Sequence, residues 1–66
     1  MGIFARYSFL PEKRKWLGVV FEAAHENADP TYDTITVLTI ETADSEQAIR
    51  DWIPKALELR EWETRQ

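Results

Sequence analysis

The side chains best suited to chemistry gather between residues 22 and 33, where a lone histidine, His25, stands among Glu22, Glu26, Asp29 and Asp33. An imidazole beside carboxylates can be oriented for proton transfer, and the same groups can share a divalent cation. Their spacing lacks the alternating oxygen ligands and central glycine of a calcium loop, so adventitious cation binding is the most it supports. A histidine solvated at the rim of an acidic loop explains the cluster with fewer demands. Nucleophilic chemistry is no better served, because cysteine is absent and neither Ser8 nor Ser45 sits in the glycine-flanked turn that presents a catalytic serine. Gly2 and Gly18 are the only glycines, too few and wrongly placed for a phosphate-cradling loop. The sequence therefore assigns no catalytic, cofactor-binding or metal-ligating residue, and the chain reads as a non-enzyme.

Two charged stretches suggest binding instead. Lys13, Arg14 and Lys15 adjoin Trp16, and Arg6 lies on the preceding segment, which offers cations for phosphate and an aromatic for base stacking. The same basic residues would also keep a hairpin tip soluble and guard it against edge pairing. Near the other end, Glu58, Glu61 and Glu63 surround Trp62, and Asp44, Glu46 and Asp51 precede them. A row of such charges can occupy a basic cleft, although Arg50, Lys55, Arg60 and Arg65 are interspersed, as on a solvated face. The net charge of −4 is uneven: residues 1–21 carry four basic and one acidic side chain, and residues 22–66 carry eleven acidic and four basic. An acidic balance repels phosphate backbones and suits a basic protein surface. The leading expectation is a small acidic protein-interaction domain, of the kind a phage or mobile element uses to inhibit a host protein. Its contact residues would be Trp62 or Trp16 with Glu58, Glu61 and Glu63. The alternative is a nucleic-acid module built on Arg6, Lys13, Arg14 and Lys15 with Trp16.

Sixty-six residues make one domain, and a chain this short buries only about 60% of its unfolded surface. Without cysteine no disulfide can staple it, so the core must rest on three tryptophans, three phenylalanines and two tyrosines. No apolar run reaches the length of a membrane span, and the amino terminus lacks a signal-peptide layout, so a cytoplasmic location is expected.

The elements that would position these residues are legible as periodicities. Ile3–Leu10 alternates, with Ile3, Ala5, Tyr7 and Phe9 on one face, and Pro11–Arg14 supplies a turn. Lys15–His25 reads as a second strand in which Gly18 marks a place for a large neighbour, with Trp52 the candidate. Tyr32–Thr42 is rich in β-branched residues and reads as a third strand, with a bulge or two covered faces at Val37-Leu38. A helix then begins behind Asp44, which with Gln47 forms a capping box, and its apolar stripe is Ala48, Ile49, Trp52 and Ile53. Pro54 is expected to stop or kink it. Residues 55–66 fit a fourth strand slightly better than a second helical segment. The fold class is thus α+β, a three- to four-stranded antiparallel sheet packed on one helix: β-β-β-α-β, or β-β-β-α with a kinked C-terminal helix. An edge strand of such a sheet can pair two copies into a homodimer.

The strand-to-helix junction resembles the corresponding turn of the arm-binding domains of tyrosine integrases at Thr42, Glu46, Ala48 and Trp52. Its Glu46 to Ala48 entry is similar to that of HicB-type antitoxins, and its Trp52 to Pro54 transition is similar to one in small phage inhibitors of RNA polymerase. Each resemblance is confined to the junction, where capping physics alone produces the same pattern, and no family is assigned.

Overall fold

A computed structural model describes residues 1–64. Strands β1 (Gly2–Leu10), β2 (Lys15–Ala23) and β3 (Thr36–Ala43) form one antiparallel sheet in the order β1-β2-β3, and helix α1 (Glu46–Thr64) packs on one face. The three-stranded α+β arrangement is therefore realised. The β1-β2 hairpin closes at Leu10 and Lys15 through Lys13 N–H to Leu10 O at 3.2 Å, with Arg14 in the left-handed region at φ 52°.

Because directly opposed residues of antiparallel strands share a face, the register sorts the side chains. Ile3, Ala5, Tyr7 and Phe9 stand with Glu22, Val20, Gly18 and Trp16, and with Thr39, Glu41 and Ala43, on the side that receives the helix. Phe4, Arg6, Ser8 and Leu10 share the opposite face with Leu17, Val19, Phe21 and Ile40. The irregularity at Val37-Leu38 is a bulge: Val20 pairs with Thr39 and Phe21 with Val37, which leaves Leu38 as the extra residue.

The helix sits on Gly18. A Cβ built there would come within 2.7 and 2.9 Å of Trp52 ring carbons and 3.4 Å of Ile49 Cδ1, so glycine allows the indole to lie on the strand backbone. Ile49 and Ala56 of α1 are buried, and Val20 is buried on the facing strand. Arg50 and Asp51 face water as their spacing implies, while Ala48 is exposed and stands outside the apolar stripe expected of it.

Three boundaries depart from the sequence reading. The cap is Ser45, whose Oγ accepts the Ala48 amide at 3.2 Å. Asp44 is drawn into an ion pair with Lys15, and Gln47 turns forward to Asp51. The second strand ends at Ala23 and the third begins at Thr36, because residues 24–35 form a structured loop. The helix does not stop at Ile53, and residues 55–64 are helical and not a fourth strand. Pro54 lies on the exposed side of α1, where the carbonyl four residues back can turn to water. The strong helix formers after it are anchored by Arg60, whose guanidinium donates to the Leu38 carbonyl at 3.0 Å and to Thr39 Oγ1. Residues 65 and 66, the end of that undecided segment, lie outside the described residues, and with them Arg65.

Two stability measurements check this packing. Gly18→Ala should lower unfolding free energy in urea by about 1–3 kcal/mol through overpacking. Combining it with Trp52→Leu should cost less than the two changes summed, since the indole is what the new methyl meets. Ser45→Ala should cost about 1 kcal/mol as a lost cap, and Asp44→Ala, which removes only an exposed ion pair, no more than about half of that.

Candidate functional site

The acidic loop is held by its own backbone and by Arg6. Asp33 Oδ2 accepts the Asp29 amide at 2.9 Å, Asp29 Oδ1 accepts the Thr31 amide at 2.8 Å, and the backbone amides of Tyr32 and Asp33 both reach the Asp29 carbonyl. These turns tuck Ala28 against Phe21 and Ala23, with Phe4, Val19 and Ile35 around them, to form a small second core on the face away from the helix. Arg6 crosses from β1, lies over the Phe21 ring at 4.9 Å, and donates to the carbonyls of Glu26 and of Ala28, the latter at 2.9 Å. Its guanidinium is a strut of the loop, with a shallow groove of about 300 Å³ opening beside it over Leu17, Val19 and Ile35.

His25 Nε2 stands 3.8 Å from Asp33 Oδ2, and both are accessible to solvent. Glu22, Glu26 and Asp29 do not join them, and among the described residues no three His, Cys, Asp or Glu side chains converge as metal ligands do. Asp29 and Asp33 instead serve the turns of the loop. Ser8 is exposed on β1, and Ser45 is the helix cap.

The basic residues do not form one surface. Arg6 is engaged on the loop, and Lys15 is paired with Asp44 beside the start of α1. Lys13 and Arg14 remain exposed at the hairpin tip. Trp16 packs with tilted rings against Tyr7 and Phe9, at centroid distances of 6.0 and 5.2 Å. It is a half-buried member of an aromatic cluster on the helix side and not a protruding anchor.

The acidic end of the helix is different. Trp62 is 58% exposed and Leu59 56%, and with Lys55 and Glu58 they line one shallow depression on α1. Spacings of three and four residues put Lys55, Leu59 and Trp62 on a single stripe, to one side of the row of Ile49, Ala56 and Arg60 that meets the sheet. Around it, Glu63 pairs with Arg60 at 3.3 Å, whereas Glu58 and Glu61 make no ion pair among the described residues. Earlier acids are individually matched, Glu46 with Arg50 at 3.7 Å and Asp51 with Gln47 at 2.8 Å, so no continuous row of free charge runs along the helix. The structure thus brings Trp62, Glu58, Glu61 and Glu63 to one end of one element and leaves Trp16 elsewhere. Leu59 is the member of this patch that the sequence reading missed. Its spacing from Trp62 was the available signal, hidden by the reading of the segment as a strand, which would have put the two residues on opposite faces.

No protein-family model, curated protein or solved structure matches the chain. No helix among the described residues is long and apolar enough to cross a membrane.

Arg6 gives this region its measurable signature. Arg6→Met, which keeps the stem over Phe21 and removes the donors, should raise amide hydrogen exchange across residues 26–33 at least tenfold relative to the helix. Equal exchange in the two proteins would show that the loop holds itself.

Proposed function

We propose that the chain is a non-enzymatic, acidic protein-interaction domain that works in the cytoplasm and docks the distal half of α1 onto a basic protein surface. The observation that carries this reading is the exposure of Trp62 together with Leu59 on one helical stripe, on an element otherwise anchored by Ile49, Ala56 and Arg60. Large aromatics dominate interface energies when they enter a pocket, and an aromatic held on a fixed helix loses little freedom on binding. Glu58 and Glu61, which form no ion pair among the described residues, supply charge that a basic rim would complement, which steers encounter and selects the partner. A helix end of this kind can inhibit by occupying a basic cleft, the mode of action of a small phage or mobile-element inhibitor of a host protein.

Immobilised wild-type chain and the Trp62→Ala and Glu58→Lys/Glu61→Lys variants, incubated with nuclease-treated lysate, test the proposal. Wild type should retain at least one protein stoichiometrically, and both variants should lose it by tenfold or more while circular dichroism stays unchanged. Equal recovery on wild type and Trp62→Ala would place the contact elsewhere, and recovery seen only from a parallel lysate without nuclease would return attention to Lys13 and Arg14.

A further inference from the structure

The two edges of the sheet are unlike. β3 is bent by its bulge at Leu38, carries Glu41, and has its Leu38 carbonyl occupied by Arg60. β1 has none of these protections. Gly2–Leu10 runs against β2 without a register break, contains neither proline nor an acidic residue, and its only charge, Arg6, is engaged on the loop. Among the described residues, no hydrogen bond from outside the sheet reaches the backbone of residues 2–9. Tyr7 and Phe9 stand 41% and 45% exposed along the same edge. A long, regular, apolar edge of this description is a template for another strand.

We propose that β1 pairs antiparallel with β1 of a second copy of this chain about a two-fold axis at Tyr7, so that the three-stranded sheets become one continuous sheet. The strand is self-complementary, since this pairing keeps Ile3, Ala5, Tyr7 and Phe9 of both copies on the helix side. With the axis at Tyr7, Phe9 faces the small Ala5 of the second copy and Arg6 faces Ser8. An axis at Arg6 would oppose two guanidinium groups, which destabilises a cross-strand pair. The ends also match in charge. Lys13 and Arg14 mark the hairpin end, and the other end of β1 lies beside Glu22, which is opposite Ile3 and forms no ion pair among the described residues. Antiparallel association brings these ends together twice. Because the axis is perpendicular to the sheet, both helices lie on the same face and the pair carries two Leu59 and Trp62 stripes. The pairing stands whether or not those stripes bind a partner.

Sedimentation of the full chain and cysteine cross-linking test it. Wild type should move from 7.8 kDa toward twice that mass as concentration rises. Since the chain has no cysteine, a single introduced thiol reports a single contact. Opposed residues of antiparallel strands are about 4.5–5.5 Å apart at Cα, within disulfide range, so Tyr7→Cys should oxidise to a covalent dimer. Ile40→Cys, on the open sheet face, should not. Ser8→Lys, which sets a second cation against Arg6 of the other copy, should shift association to at least tenfold higher concentration, and it serves in place of Tyr7→Cys if that variant fails to fold by circular dichroism. The proposal is overturned if wild type stays at 7.8 kDa up to its solubility limit. Cross-linking of Ile40→Cys as fast as Tyr7→Cys, or unchanged association of Ser8→Lys, would overturn it equally.

Discussion

The contact of Trp52 with the backbone of Gly18 sets the geometry of everything else. A helix can approach a sheet closely only where a side chain is missing, and Gly18 removes one on the central strand, at the level where Ile49 and Trp52 arrive from above. The glycine weakens β2 locally, yet the indole covers the exposed backbone and contributes a large apolar area to a very small core. Once that crossing is fixed, the remaining length of α1 is directed along the sheet. Arg60 then meets the Leu38 carbonyl at the β3 bulge, and Trp62, two residues on, is exposed.

On the other face, Arg6 performs a related task by different means. A sheet covered on one side by a single helix would leave Phe4, Val19 and Phe21 in water. The loop of residues 24–35 substitutes for a second helix by folding Ala28 down onto Phe21. A loop seated over apolar side chains must satisfy its own carbonyls. Arg6 satisfies two of them with one guanidinium whose stem and plane also cover the Phe21 ring. What looks in the sequence like part of a basic patch is a packing device, and the nucleic-acid reading loses its best-placed cation for that reason.

Much of this was legible from residue patterns. The alternation of Ile3–Leu10, the gap at Gly18 and its occupation by Trp52, and the slip at Val37-Leu38 are local periodicities, and each is realised in the sheet. Two of the departures arise where distant residues settle a local choice. Asp44 and Ser45 are both good caps, and it is Lys15, far away in sequence, that takes Asp44 and leaves the cap to Ser45. Pro54 carries a helix penalty of about 3 kcal/mol in a local accounting, but it falls on the exposed side. Continuing the helix buries Ala56 and lets Arg60 reach β3. The β-branched pattern extends a strand back to Tyr32, whereas Asp29 and Asp33 close turns on each other and hold the loop to Ile35. For the candidate site, Trp62 and its acids were visible as residues, whereas their exposure and the company of Leu59 depended on knowing that the segment is a helix.

Two half-cores built from small side chains explain why so much apolar surface remains outside. Among the described residues the buried apolar side chains are Val20, Phe21, Ala23, Ala28, Ile49 and Ala56, three of them alanine, so most of the aromatic area that the composition supplies lies at the margins. It is not scattered evenly. Tyr7 and Phe9 follow the β1 edge, Val37 and Ile40 lie on β3, and Leu59 and Trp62 share the end of the helix. A single exposed apolar side chain is ordinary, but pairs aligned on one regular element are held in fixed relative positions, and such preorganisation favours binding. The fold is wide and thin, with extents of 33 × 29 × 13 Å, and so presents a large surface for its mass. Among these pairs of the described residues, the one on the helix combines an aromatic of the largest kind with carboxylates, Glu58 and Glu61, that form no ion pair among the described residues. Its charge belongs to the acidic excess that dominates the second half of the sequence, while the edge pair belongs to the basic first half. The two surfaces therefore differ in the sign of the charge around them as well as in shape.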